Sequence, residues 1–269
     1  MKNMSLTLYS LDKSTALRYL GFRDTVPEGA MEEILSRAER RLLAVMRPRY
    51  VFRVLTLRDG ELAGAPGVLS GNAIREHLEG CSKAVLLAAT LSSSVDTLLR
   101  QMSVTGMAEA MAADALASAA VEQVLDLAEE DIFQRLANPA GMSSARRTFA
   151  ARQSLSVDAP SASPAPEVLG ADGLAAKTPP VYPERTFRFS PGYADFPLEV
   201  QPKLLELLDA PRRIGLTVSP GLLLVPTKSV TCVIGVGEHL PKKRKKTCKD
   251  CTLGGSCSFR RSDTFCFGS

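Results

Sequence analysis

The stretch that decides the fold is residues 185–236, RTFRFSPGYADFPLEVQPKLLELLDAPRRIGLTVSPGLLLVPTKSVTCVIGV. Its first segment, RTFRF (185–189), has the composition of a strand. EVQPKLLELLDA (199–210) predicts a helix, with Pro202 tolerated only in the first turn. Three short apolar or alternating runs follow and predict strands: IGLTV, GLLLV and SVTCVIGV. Strands on both sides of a helix indicate a mixed α+β fold.

The sequence upstream continues this mixture. Helices are predicted over 27–46, around 72–79 and from Ser93 to about Leu136, and strands over 49–57 and 83–90. The long helical tract is interrupted near Thr105-Gly106, and its centre is dominated by alanine. An alanine-rich helix has little side-chain bulk, so we expect it to pack closely against a neighbour.

Composition divides the chain at residues 154–180. This segment holds five Pro and six Ala and has no aromatic residue. It offers too little apolar surface to offset its ordering entropy, which predicts a flexible linker or insertion. We therefore expect an N-terminal part (1–153) and a C-terminal part (181–240) of one domain, followed by a basic, cysteine-rich tail (241–269).

Length and composition exclude several classes of protein. The 269 residues are 45% hydrophobic, which is enough for a real core and excludes wholesale disorder. No run approaches the ~18 apolar residues of a membrane helix, and the N-terminus lacks a signal-peptide pattern, so we expect a soluble cytoplasmic protein with no membrane partner. Only two histidines, His77 and His239, are present, which excludes a multi-histidine metal centre.

Two groups of residues have the character of a ligand site. Arg188 places a cation at a strand end, the Pro-Gly turn that follows lets backbone approach a ligand, and Tyr193 brings a hydroxyl. Asp114, Ser118 and Glu122 recur every four residues and share one helix face. Taken alone, each group also fits a plain structural role, since such a stripe is commonly just solvated and an Arg or Tyr commonly lies at a sheet edge.

The segment 185–236 resembles the activation domain of cobalamin-dependent methionine synthase, which binds S-adenosylmethionine and remethylates inactive cofactor. The matching features are R-x-x-P-G-Y at 188–193, Pro197, Leu-Leu-Asp at 207–209 and Pro226-x-x-Ser229-Val230. Weaker matches lie upstream at Leu-Arg-Tyr-Leu-Gly (17–21), at Ala-Thr-Leu (89–91) and from Asp114 to Glu122, so the resemblance spans about residues 14–236. It implies an antiparallel twisted sheet flanked by helices.

The resemblance also implies the ligand contacts. Arg188 corresponds to the family arginine that contacts S-adenosylmethionine, and a guanidinium suits a ligand carboxylate. Tyr193 corresponds to the tyrosine near the methyl-bearing end, and Gly192 and Ala194 would give backbone contacts. Asp114 corresponds to an acidic position on the long helix.

The chain departs from the family pattern at three places. Ser118 replaces a second acidic residue, and Glu122, one turn later, would take up its role. Glu199 stands where the family has a histidine two residues after Pro197. Ser219-Pro220-Gly221 replaces a Thr-Glu-Ser stretch. These departures affect the expected ligand contacts and leave the turn intact.

The implied function is that of a free-standing reactivation unit. The chain has no Asp-x-His-x-x-Gly cobalamin pattern and no folate or homocysteine module. It would act as a methyltransferase component on cobalamin held by a methionine synthase that lacks its own activation domain. A flavodoxin-like or other donor would reduce cob(II)alamin by one electron. Because cobalt is the nucleophile, no catalytic side chain is expected in this chain.

The tail carries a second set of candidates. Cys248, Cys251, Cys257 and Cys266 form a plausible tetrathiolate site for zinc or an iron–sulfur cluster, and a tail without metal is the alternative. The basic run 242–246 is typical of a solvated linker, and it could also attract an acidic partner, such as an electron-donor flavoprotein, or nucleic acid. Two rival functions follow: a nucleic-acid-binding protein with a zinc-ribbon-like tail, and an iron–sulfur reductive activator of a corrinoid protein that does not use S-adenosylmethionine. The slightly acidic body argues against nucleic acid.

Overall fold

The computed structural model describes residues 4–22, 29–137, 183–238 and 240. The helices are α1 (Lys13–Tyr19), α2 (Ala30–Val45), α3 (Asn72–His77), α4 (Ser93–Thr105), α5 (Met107–Ala137), α6 (Gln201–Leu208) and α7 (Ala210–Ile214). The strands are β1 (Met4–Ser5), β2 (Arg49–Arg58), β3 (Glu61–Leu62), β4 (Lys83–Thr90), β5 (Glu184–Arg185), β6 (Thr217–Val218), β7 (Leu224–Val225) and β8 (Ser229–Gly237).

The sheet is antiparallel throughout, in the order β1-β2-β4-β8-β5, with β3 beside β2 and a separate β6-β7 hairpin. β4 is central because its run from Ala84 to Thr90 is buried on both faces. β8 lies between β4 and β5. Residues before and after the segment 138–182 therefore share one sheet.

Helices cover both faces of this sheet. One face packs against α1, α2, α4 and α5, and the other packs against α3, α6 and α7. The alanines of α5 let this long helix lie close to its neighbours, and most of them are buried. The predicted α+β architecture, an antiparallel sheet flanked by helices, is confirmed.

Most predicted elements are observed near their predicted bounds. The helices predicted at 27–46, 72–79 and 199–210 are α2, α3 and α6, and the long tract is α4 and α5 with the break at Gly106. Pro202 lies in the first turn of α6. Backbone N–H groups in the first turn make no hydrogen bond within the helix, so the lack of one in proline is tolerated there. The runs IGLTV and GLLLV contribute only the two-residue strands β6 and β7.

The segment RTFRF is not the regular strand that its composition predicts. Arg185 pairs with Val236, and Phe189 pairs with Val233. The chain therefore advances four residues on one strand while it advances three on the other. The extra residue makes a β-bulge, in which the hydroxyl of Thr186 accepts the Gly235 N–H at 2.8 Å. The ladder is therefore interrupted between Arg185 and Phe189.

Candidate functional site

The bulge decides where the arginines of the RTFRF segment point. In a regular strand, Arg185 and Arg188 would lie on opposite faces because they are three residues apart. The extra residue places both on the face covered by α5, and both reach Glu129, at 2.9 Å and 3.3 Å. Phe189 points into the core on the other face.

Arg188 lies among three carboxylates of α5. Its guanidinium nitrogens are 2.7 Å from Asp126, 3.3 Å from Glu129 and 3.5 Å from Glu122. Burial lowers the pKa of Arg188, but the hydrogen bond to Asp126 and the three negative charges outweigh it and raise the pKa above its ordinary value. The side chain is a permanent cation that is already engaged with carboxylates.

Glu122 has the longest of these contacts and is half-buried. Burial raises its pKa, and although Arg188 lowers it, the effect of burial together with the charge of Asp126 prevails. Of the three carboxylates, Glu122 is therefore the partner that Arg188 can most easily exchange for another anion.

Asp114 lies two turns and Ser118 one turn before Glu122 on the same face of α5, and both share a partner that the sequence analysis missed. The ammonium of Lys228 is 2.8 Å from Asp114 and 2.9 Å from the Ser118 hydroxyl. Thr227 donates to Asp96 from both its backbone N–H and its hydroxyl, which fixes the loop. The only hint in the sequence is a cation immediately before β8.

A groove of about 380 Å³ opens beside this stripe. Asp114, Ser118 and Met111 line one wall and Tyr19 of α1 lines another. Asp114 and Met111 are exposed, and so is Tyr19. The groove therefore combines apolar surface with a carboxylate that is paired with Lys228.

The turn after Arg188 is closed by backbone hydrogen bonds. The Gly192 N–H donates to the Phe196 carbonyl at 2.7 Å, and the Phe196 N–H donates to the Tyr193 carbonyl at 3.1 Å. Gly192 and Ala194 have φ values of 89° and 52°. A glycine suits the first of these because a left-handed backbone strains other residues.

Tyr193 does not join the acidic stripe. Its ring packs edge-on against Phe189 with centroids 5.2 Å apart, and Phe189 belongs to the core on the face away from α5. The structure thus brings Arg188 together with Glu122, and Asp114 with Ser118. Tyr193 is half exposed and is separated from them, because it packs on the opposite face of the sheet edge. Gly192 and Ala194 are exposed next to it.

The family departures have clear positions in the fold. Ser118 accepts from Lys228 and donates to the Asp114 carbonyl, so it occupies a polar position on the stripe. Glu199 lies in a 3₁₀ turn before α6, where an acid suits the helix start. Ser219-Pro220-Gly221 forms the tip of the β6-β7 hairpin, where the Ser219 hydroxyl accepts the Leu223 N–H at 3.1 Å.

The predicted thiolate site at Cys248, Cys251, Cys257 and Cys266 lies outside the described residues. Within the described ranges, no group of three or more His, Cys, Asp or Glu side chains is arranged so that it could hold a metal ion. Cys232 is buried below Arg188, and burial raises the pKa of its thiol to about 12, so it is not a nucleophile at neutral pH.

No helix in the described part of the chain has the length and apolar character needed to cross a membrane.

No family model and no curated protein matches this sequence. Among solved structures, the fold is similar to that in "Crystal Structure of the MetH Reactivation Domain bound to AdoHcy". The TM-score is 0.53 at 10% sequence identity, and the match covers 90% of this chain and 80% of that one. At this identity the likeness concerns the fold, and it agrees with the architecture that the R-x-x-P-G-Y segment predicts. The chain has the fold of the MetH reactivation domain.

Proposed function

We propose that this chain binds S-adenosylmethionine and serves as the reactivation component of a cobalamin-dependent methionine synthase. The observation that carries the proposal is the position of Arg188. In a chain with the reactivation-domain fold, the bulge aims this arginine at an acidic helix stripe instead of leaving it in solvent. The solved structure with the similar fold holds AdoHcy, which S-adenosylmethionine becomes on losing its methyl group.

The charge of the site suits this ligand. Asp114, Glu122, Asp126 and Glu129 outnumber the three cations that pair with them, Arg185, Arg188 and Lys228. These four carboxylates of α5 and their three cationic partners together have one excess negative charge. S-adenosylmethionine carries a carboxylate, an ammonium and a sulfonium, so its net charge is positive and complements the stripe.

Arg188 would bind the ligand carboxylate by giving up Glu122, its most distant partner. A guanidinium can hold two anions in its plane, so the bond to Asp126 can remain. Asp114 and Glu122 would face the cationic groups of the ligand. Backbone groups of Gly192 and Ala194, with the exposed ring of Tyr193, would border the site at the sheet edge.

The residues of this chain would orient the reaction without taking part in bond making. In the proposed reaction, bound S-adenosylmethionine would supply a methyl group to a corrinoid on a partner protein after a donor had reduced that corrinoid by one electron. Cys232 is buried with a raised thiol pKa, so this thiol would not act as a nucleophile in the step. Holding the methyl donor in line with the metal is an entropic contribution to the rate. The partner would be a methionine synthase lacking its own activation domain, and the donor a flavodoxin-like protein.

A reactivation assay tests this proposal. A methionine synthase without its activation domain is converted to the cob(II)alamin form and mixed with the full chain, S-adenosylmethionine and reduced flavodoxin. We expect methionine synthesis to recover with the wild-type chain, to remain low with Arg188→Ala, and to recover with Arg212→Ala, which alters an exposed ion pair elsewhere. No recovery with the wild-type chain would contradict the proposal, and recovery without S-adenosylmethionine would favour the iron–sulfur activator.

A further inference from the structure

We infer that the short helix α3 holds the Arg188–Tyr193 turn in place. His77 and Asp195 are the positioning residues that link the helix to the two flanks of the turn. α3 lies on the face of the sheet away from α5, so neither residue belongs to the acidic stripe. The link to ligand affinity rests on the proposed function, whereas the link to the geometry of the turn does not.

His77 holds the chain just before Arg188. Its Nε2 donates to the Phe187 carbonyl at 2.8 Å, and its ring packs against Phe187 and Phe189 with centroids 4.3 Å and 4.8 Å apart. The imidazole is 5% exposed. His77 thus contacts the residues on both sides of Arg188 from the face opposite the guanidinium.

The bulge makes this contact important. In a regular ladder, a carbonyl would accept the Gly235 N–H, but here the Thr186 hydroxyl accepts it. The Phe187 carbonyl accepts instead from His77, and from the Thr186 hydroxyl at 3.2 Å. Because the bulge sets which face Arg188 occupies, a bond that fixes the bulge also fixes the direction of Arg188.

Asp195 holds the chain just after the turn. Its carboxylate accepts from the backbone N–H groups of Asn72 at 2.7 Å and Ala73 at 2.9 Å, at the start of α3. Gly71 fits this approach, since a Cβ there would lie only 2.6 Å from the Asp195 carbonyl oxygen. The backbone bonds from Ala73 and Asn72 lower the pKa of Asp195, so the carboxylate is ionised at neutral pH.

α3 itself is firmly seated. Ile74, in its middle, is fully buried in the core that includes Phe189. The helix is therefore fixed in the core and contacts both flanks of the turn, at Phe187 and at Asp195. Loss of either end would remove one of the two hydrogen-bonded contacts between α3 and the flanks of the turn.

A single-tryptophan reporter tests the geometric part. The chain has no Trp, so Tyr193→Trp in the full chain gives one signal from the turn. In this background we expect His77→Leu and Asp195→Ala to raise acrylamide quenching of Trp fluorescence at least twofold. His77→Gln, whose amide can still donate to the Phe187 carbonyl, should stay near the parent value, as should Glu206→Ala, an exposed control.

Ligand affinity tests the functional part in chains that keep Tyr193. His77→Leu and Asp195→Ala should weaken S-adenosylmethionine binding at least fivefold, and His77→Gln should stay within twofold. Asp195 is exposed, so its alanine variant supplies the test if His77→Leu does not fold.

Three results would overturn the inference: quenching that neither variant changes, a His77→Gln variant that behaves like His77→Leu, or increased quenching with unchanged affinity in a chain that binds the ligand. A wild-type chain that binds no ligand would overturn the proposed function instead, and the quenching series would still decide whether α3 holds the turn.

Discussion

Arg188 faces three carboxylates at once, and their distances suggest how a ligand would enter. Asp126 is close at 2.7 Å and exposed, whereas Glu122 is 3.5 Å away and has a raised pKa because it is half-buried. Because the contact with Glu122 is the longest of the three, Glu122 is easier to exchange for a ligand carboxylate than Asp126 is. At the scale of single residues, the site is one arginine with one replaceable partner.

The raised pKa of Glu122 leads to a prediction about stability. A carboxyl whose pKa is higher in the folded state lowers stability as pH rises from its unfolded value, near 4.5, through its folded value. Glu122→Gln removes this effect, so the variant should gain stability relative to wild type between pH 4 and pH 7. The gain should stay below about 1 kcal/mol because the side chain is partly exposed.

Urea unfolding at several pH values measures this gain, with Glu206→Gln as an exposed control. A stability difference between the Glu122 variant and wild type that is independent of pH, or that shrinks as pH rises, would show that Glu122 has no raised pKa.

At the scale of elements, the bulge in RTFRF is held by the close approach of Gly235. A Cβ at Gly235 would collide with the Cys81 sulfur and lie 2.9 Å from Leu78 Cδ2 and 3.1 Å from Thr186 Cγ2. Gly235→Ala should therefore destabilise the fold by about 2 kcal/mol through overpacking. Gly106→Ala is a matched control, because a Cβ there meets nothing within 4 Å and the backbone is extended; its effect should stay within about 0.5 kcal/mol.

The measurement is urea denaturation of both variants. If Gly235→Ala is as stable as Gly106→Ala, β8 does not pack against Cys81, Leu78 and Thr186 as closely as described.

Periodicity and composition predicted the elements that have a clear signal within their own segment of sequence. The apolar run of β4 and the helical spacing of α2 and α5 are local signals, and both are confirmed. The bulge could not be predicted, because it depends on a Thr186 hydroxyl meeting an N–H 49 residues away. For the same reason Lys228 was missed, since its contact with Ser118 spans 110 residues.

In the candidate site, too, local sequence signals could be read and long-range contacts could not. The stripe Asp114, Ser118 and Glu122 was visible as a four-residue repeat, and Arg188 was visible through its motif. Tyr193 packs on Phe189, whose side chain lies on the face away from α5, whereas Arg188 contacts the carboxylates of α5. Motif spacing alone therefore could not assign the faces on which these side chains lie.

At the scale of the whole molecule, the sheet joins two parts of the chain and every described site residue precedes the tail. The Leu240 N–H donates to Glu184 at 2.6 Å, so the last described residue is held against β5. A chain ending at Leu240 retains all of the described elements. We therefore expect this truncated chain to bind S-adenosylmethionine within twofold of the full chain.

Metal analysis of the same pair of chains tests the tail. The proposed tetrathiolate site predicts zinc or iron in the anaerobically purified full chain and neither metal after truncation at Leu240. Metal-free, colourless full chain would exclude both a zinc and an iron–sulfur site, and a large loss of ligand affinity on truncation would show that the tail contributes to binding.

Isothermal titration calorimetry of S-adenosylmethionine with the full chain tests the central claim most directly. We expect saturable binding to the wild-type chain and at least about tenfold weaker binding to Arg188→Ala, since a hydrogen-bonded ion pair contributes about 1.5–3 kcal/mol and 1.4 kcal/mol is tenfold. Arg212→Ala should bind like wild type. No heat of binding at ligand concentrations near about 1 mM, or an affinity that Arg188→Ala leaves unchanged, would contradict it.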